Sequence, residues 1–172
     1  MRRVKVPLVL LVMLLLHTGV LSSIHVHEVR PDGMLLVAVL AGLVGGPEAG
    51  ALTGFAAGLL ADLTLQTPFG LSALVLSLIA FGVGMLQTGI LRTSWWIPPL
   101  TALAGSALGV VMFALLGALV GQTQLLQPSP SHVASIAGIV ALMNAVLAVP
   151  LAPVVRWAFA RSGPDRAYAS AR

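Results

Sequence analysis

The chain has 172 residues, of which 58% are hydrophobic and only 8% are charged, and its formal net charge is +4. Soluble domains carry about 25% charged residues, so this composition excludes an ordinary soluble protein and predicts an all-α integral membrane protein. The basic residues lie at the chain ends and in two loops, a distribution that indicates membrane topology and argues against nucleic-acid binding.

The first predicted helix, residues 6–24, follows a basic N-terminus and so resembles a signal peptide. Its apolar run is long and no Ala-x-Ala cleavage site follows it, which indicates an uncleaved membrane helix. Further along the chain, Thr67 and Pro68 are typical of a helix cap and a first helical residue. The remaining predicted helices cover residues 33–45, 49–63, 68–91, 98–121 and 132–160.

Residues 33–63 leave three interpretations open, which are two short membrane spans, one kinked span or a re-entrant hairpin. With six helices, both termini share one side with Arg92 and the three tryptophans, and Arg30 lies opposite. The positive-inside rule therefore favours a bundle of six transmembrane helices with both termini in the cytoplasm. The bundle forms a single membrane domain over residues 1–160, and a short basic cytoplasmic tail covers residues 161–172.

Glycine recurs at every fourth position in the segment that begins at residue 42 and ends before Asp62. In a helix each glycine costs about 1 kcal/mol relative to alanine, whereas in a bilayer small residues allow two helices to approach closely. The pattern predicts a close helix contact, made either with helices of the same chain or with the helix of a partner. The residues concerned are Gly42, Gly46, Gly50, Gly54 and Gly58, together with Gly105 and Gly109 of the fifth helix.

Three polar residues lie within or beside the apolar segments. Asp62 is an ionisable group near the membrane core and is therefore a functional candidate. Its place at the end of the third helix favours a structural role, in which it binds backbone N–H groups of the turn over residues 63–67. Asn144 and His17 are expected to form hydrogen bonds to neighbouring helices.

The sequence contains no cysteine and no P-loop, nucleophile-elbow or zinc-protease motif. Between residues 93 and 155 it contains no charged side chain, so acid–base pairs are missing from the last two helices. His25 and His27 alternate near two carboxylates, a set that suits zinc, but a solvated turn is the simpler interpretation. We therefore expect no enzymatic activity, no cofactor and no metal.

The segment from Gly50 to Gly84 resembles the MreD family of rod shape-determining membrane proteins. Members of this family combine a glycine-spaced helix, an Asp-Leu pair, a short loop and a Pro-Phe-Gly-Leu type of sequence that opens the next helix. Residues 31–50 are also similar to the preceding segment of the family. Beyond the glycines, the matching positions of this chain are Asp62, Leu63, Pro68, Phe69, Gly70 and Leu71.

The resemblance implies a fold similar to the substrate-binding (S) subunits of energy-coupling-factor transporters. It implies a non-catalytic scaffold of the elongasome in the bacterial plasma membrane, which binds MreC, helps to position lateral peptidoglycan synthesis and maintains rod shape. MreB, RodA and a class B penicillin-binding protein are the further expected neighbours. The alternative is a substrate-binding subunit of a vitamin transporter. Such subunits pair with their coupling protein through alanine-spaced faces, and the first helix here contains no alanine.

Overall fold

The computed structural model describes residues 2–19, 29–64, 68–86, 95–121 and 130–160. Within these ranges the regular elements are helices, which confirms the all-α class predicted from composition. The turn with His25 and His27 and the tail over residues 161–172 lie outside the described residues. The helices are α1 (Arg2–Gly19), α2 (Gly33–Gly45), α3 (Pro47–Asp62), α4 (Leu71–Leu86), α5 (Ile97–Leu119) and α6 (Pro130–Phe159).

Helix α2 lies at the centre of the bundle, and all of residues 33–43 are buried. It contacts each of the other five helices of the described chain. Leu35 packs into one apolar cluster, and Leu36 and Leu40 pack into a second. A helix that is surrounded by other helices needs apolar residues on every side, which is why α2 has no polar face.

A single residue, Gly46, connects α2 to α3. Its φ of 85° is left-handed and favours glycine, and its N–H donates to the carbonyl oxygen of Gly42 at 3.0 Å. Pro47 takes the first position of α3, where a helix needs no N–H donor. This part of the chain therefore forms two separate helices. Gly46 is not a helical residue, contrary to the four-residue pattern, because its φ ends α2.

The start of α4 differs from the predicted one. Helix α4 begins at Leu71 and not at residue 68, because Gly70 has a φ of 97°, which a right-handed helix does not contain. Helix α6, in contrast, continues through both Pro150 and Pro153, as its predicted range of residues 132–160 implies. The helical period therefore locates each element, whereas local backbone conformation decides where it starts.

The two ends of the bundle carry different residues, and we name the ends after them. At the aspartate end, α1 and α3 end, α2 and α4 begin, and Asp32 and Asp62 are found. The tryptophan end contains Trp95, Trp96 and Trp157, all exposed. At this second end the ammonium group of Lys5 lies 4.6 Å from the ring centroid of Trp157, a cation–π distance.

Two of the described helices have the length and hydropathy of a membrane span, with 23 residues in Ile97–Leu119 and 29 residues in Ser131–Phe159. Val4–Gly19, Gly33–Gly45 and Leu71–Leu86 are apolar but shorter. The 13 residues of α2 rise only about 20 Å, less than the ~30 Å of a bilayer core. The outside of the bundle carries large exposed apolar side chains, among them Leu52 and Val146, as contact with lipid requires.

Candidate functional site

The carboxylate of Asp62 is buried at the aspartate end, where it accepts three backbone N–H groups. Its Oδ2 lies 2.8 Å from the nitrogen of Gly70 and 3.4 Å from that of Ala73, and its Oδ1 lies 3.1 Å from the nitrogen of Ser72. These donors lie at the start of α4, where N–H groups have no partner inside the helix. The negative charge of Asp62 also lies at the positive end of the α4 helix dipole, which is a favourable interaction. Asp62 therefore joins the end of α3 to the start of α4.

Among the described residues, the partners of this carboxylate differ from those that the sequence predicts. It assigns Asp62 to the turn over residues 63–67 and assigns the capping of α4 to Thr67, which lies outside the described residues. In the described part of the turn, the N–H of Leu63 donates to Leu59 and the N–H of Thr64 donates to Ala61. These donors are already used by helix carbonyls, so the carboxylate binds the unpaired donors of α4 instead.

The other motif residues shape the same corner of the bundle. Gly70 takes the left-handed conformation that lets the chain enter α4, and Leu71 is buried directly after it. Pro68 is half-buried. Leu63 and Phe69 are 71% and 69% exposed, so they contribute apolar surface at the aspartate end and little to the core. The motif thus combines a structural clamp with two outward-facing apolar side chains.

The helical glycines of the repeat, Gly42, Gly50, Gly54 and Gly58, form a stripe at the contact of α2, α3 and α4, which we call the glycine stripe. A Cβ at Gly54 or Gly58 would lie closer than 3.0 Å to backbone atoms of α4. A Cβ at Gly50 would lie 2.5 Å from the Cα of Gly42, and one at Gly42 would overlap the carbonyl of Ala80. The three helices therefore touch backbone to backbone, as small residues permit in a bilayer.

The glycines of α5 make a different contact, because they receive side chains of α2. A Cβ at Gly105 would lie 2.8 Å from a methyl group of Val39, and a Cβ at Gly109 would lie 2.8 Å from a methyl group of Leu35. Methyl groups at the ends of side chains can shift more easily than backbone, so this contact is more tolerant than the glycine stripe. Both sets of glycines face helices of the same chain.

Asn144 is completely buried in α6 and links three segments. Its Nδ2 donates to the carbonyl oxygen of Asp32 at 3.0 Å and to the Oγ of Ser106 on α5 at 2.9 Å. The hydrogen bond expected between helices is confirmed. Asp32 in turn caps α2, because its Oδ1 accepts the N–H of Leu35 at 3.0 Å. The network holds the start of the central helix against α5 and α6.

A cavity of about 300 Å³ lies at the aspartate end and is lined by residues of α1, α3, α4, α5 and the start of α2. We call it the polar cavity, because His17, Arg30, Asp32 and Ser72 line it among apolar side chains. The Nδ1 of His17 is buried and has no hydrogen-bond partner in the described part of the chain, contrary to the expected bond to a neighbouring helix. The Oγ of Ser72 has the same property.

The family model for the rod shape-determining protein MreD matches residues 1–161 of the chain. The chain belongs to the MreD family. The resemblance carried by the motif therefore extends over all six described helices, including those whose sequences show little beyond hydropathy. MreD proteins are membrane proteins with a role in rod shape determination. No curated protein and no solved structure matches the chain at a significant level.

Three residues that shape the site and the helix packing of this MreD chain were not predicted from the sequence. They are Ser72, Ser106 and Gly84. A serine in an apolar helix is a weak signal, because hydroxyl groups commonly bond a carbonyl of their own helix, as Thr101 does here. Gly84 belongs to no obvious repeat, yet a Cβ there would lie 2.5 Å from the Cα of Pro47. Their roles depend on residues that are distant in sequence.

Proposed function

We propose that this MreD-family chain is a non-catalytic scaffold of the elongasome, which binds MreC in the bilayer and helps to position lateral peptidoglycan synthesis. MreB, RodA and a class B penicillin-binding protein are its further neighbours in this proposal. The family role in rod shape supports the assignment. So does the use of Asp32, Asp62 and Asn144, which bind backbone groups at helix ends and thus build structure.

The observation that carries the proposal is an apolar groove of about 530 Å³ between α1 and α3, which we call the α1–α3 groove. The two helices touch only slightly, so a gap remains on the outer surface of the bundle. On α3 the groove is lined by Leu52 and by three small residues spaced by about one helical turn, Ala49, Thr53 and Ala56. Small residues at this spacing allow a further membrane helix to approach closely. In the proposal, the single membrane helix of MreC lies in this groove.

We further propose that six helices cross the membrane and that the tryptophan end faces the cytoplasm with both termini. Lys5 and Trp157 meet at that end, as expected for basic and aromatic residues at a cytoplasmic interface. Asp32 and Asp62 lie at the opposite end. The short length of α2 is compatible with this topology. Because α2 is enclosed by protein, it does not have to match the thickness of the bilayer.

The experiment that tests the proposal is co-purification of MreC with full-length variants of this chain. Ala56→Leu places a bulky side chain in the α1–α3 groove, and we expect it to lower the recovery of MreC about tenfold. Ala134→Leu, at an exposed position of α6, is the matched control and should leave recovery unchanged. Gly54→Leu is unsuitable, because its side chain would collide with α4.

Thermal unfolding of each variant shows whether the bundle itself is intact. Ala49→Leu lines the same groove nearer the tryptophan end and provides a second variant, should Ala56→Leu prove unstable. Undiminished MreC recovery with a folded groove variant would reject the α1–α3 groove as the docking surface.

A further inference from the structure

Ser72 and His17 bring unpaired polar atoms to the polar cavity. Ser72 is only 3% exposed, and its Oγ has no partner in the described chain because Asp62 already caps α4. The Nδ1 of His17 is buried without a partner on the α1 side of the same cavity. Buried polar atoms without a partner are rare in folded proteins, so the pair points to a bound molecule that supplies the missing hydrogen bonds.

The polar cavity also carries one charge of each sign. Arg30 and Asp32 both line it, and the backbone at Asp32 is held in place by the bond from Asn144. A guanidinium group favours a phosphate, and a carboxylate favours an ammonium group. A zwitterionic head group that contains both a phosphate and an ammonium therefore matches the lining.

A second, almost wholly apolar groove of about 490 Å³ lies between α4 and α5, and we call it the α4–α5 groove. Its residue Ile79 follows Leu76 of the polar cavity by about one turn of α4, and its residue Gly105 precedes Gly109 of the cavity by about one turn of α5. The two sites are therefore neighbours along the same pair of helices. At Gly82 no atom lies within 4 Å of an added Cβ, so the groove is open there.

We propose that the polar cavity and the α4–α5 groove together bind one zwitterionic phospholipid, of the phosphatidylethanolamine type. The head group occupies the polar cavity, where Ser72 and His17 form hydrogen bonds to it and Arg30 and Asp32 match its charges. An acyl chain lies in the α4–α5 groove against the apolar side chains that face the bilayer. A cavity of about 300 Å³ accommodates a head group and leaves the chains to the groove.

Native mass spectrometry of the full chain tests this proposal. The protein is reconstituted in vesicles that contain equal amounts of phosphatidylethanolamine and phosphatidylglycerol. It is then extracted in detergent, and the mass of the protein with its bound lipid is measured. We expect one retained phosphatidylethanolamine per chain, in preference to phosphatidylglycerol. Ser72→Ala removes a head-group hydrogen bond and should lower retention about fivefold. Gly82→Phe fills the open part of the groove and should lower retention at least as much.

Two matched controls separate lipid loss from general damage. Ser77→Ala removes a hydroxyl group of the same helix that bonds Ala51 and lies outside the polar cavity. Gly138→Phe adds the same ring on α6, where an added Cβ also meets nothing within 4 Å. Both controls should retain the lipid at the level of the unaltered chain. If thermal unfolding shows that Ser72→Ala is not folded, His17→Leu tests the same head-group contact.

Several results would overturn the proposal. Unchanged retention in the Ser72 and Gly82 variants means that neither site holds the lipid. Loss in only one of them contradicts a single molecule that occupies both sites. Retention of phosphatidylglycerol at an equal or higher level contradicts the zwitterionic head group. A water-soluble molecule in place of a lipid also overturns it and favours the vitamin-transporter alternative.

Discussion

Replacement of Asp62 by alanine tests whether this buried carboxylate is a structural clamp between α3 and α4. In the variant, the N–H groups of Gly70, Ser72 and Ala73 lose their acceptor. Water does not easily replace it, because Asp62 is only 5% exposed. We therefore expect the variant to lose stability and not merely activity.

The distances set the size of the expected loss. A hydrogen bond to a charged group contributes about 1.5–3 kcal/mol, and the bonds of 2.8 Å and 3.1 Å are the two that count fully. Because they share one carboxylate they are not additive, so we expect Asp62→Ala to lower the free energy of unfolding by about 3–4 kcal/mol. At this chain length that corresponds to a fall in Tm of about 6–15 °C. Asp62→Asn keeps an acceptor oxygen but loses the charge, so its loss should be about 1–2 kcal/mol.

The assay is thermal unfolding of the purified protein in detergent, followed by the fluorescence of its three tryptophans. Glu48→Ala is the matched control, because Glu48 is an exposed carboxylate in the first turn of the same helix. It should change the free energy of unfolding by less than about 1 kcal/mol. If Asp62→Ala unfolds within 2 °C or so of the unaltered chain, the clamp makes no net contribution and the reasoning from N–H donors fails.

The remaining predictions use the same unfolding measurement. Gly58→Ala forces a Cβ against the backbone of Ala73 and should cost about 2–3 kcal/mol, whereas Gly82→Ala meets open space and should stabilise the helix by up to about 1 kcal/mol. Equal effects at the two glycines would contradict the close contact at the glycine stripe. Asn144→Ala removes two hydrogen bonds in the core and should cost about 2–4 kcal/mol. Ser135→Ala, an exposed hydroxyl on the same helix, should change stability by less than about 0.5 kcal/mol, and a similar loss in both would contradict the Asn144 network.

Some features of the candidate site were predictable because they depend on spacing along one helix. Glycine at every fourth position of α3 predicts that a helix face is bare, and the glycine stripe is such a face. The same spacing does not reveal which helix covers it. Ala80 lies far along the chain from Gly42, and only the folded bundle brings its carbonyl against that glycine. Gly46 shares the spacing but not the face, because its backbone conformation ends α2.

Long-range polar contacts could not be predicted from the sequence for a related reason. Asn144 and Asp32 are 112 positions apart, and nothing local in either sequence segment indicates the other. Ser72 has no distinctive signal in sequence, yet its N–H donates to Asp62, and its hydroxyl group lines the polar cavity without a partner in the described chain. The choice between candidate partners for a polar group thus rests on which donors the fold leaves unpaired.

By itself, the sequence determined that this chain is helical, apolar and a member of the MreD family, because hydropathy, helical period and a local motif are properties of neighbouring residues. Only the tertiary structure decided that α2 is central, that the glycine stripe is covered by the chain's own helices, and that a polar cavity remains beside the start of α2. These features arise from packing between segments that are distant in sequence. A helix face is specified locally, but the surface that buries it is specified by the whole fold.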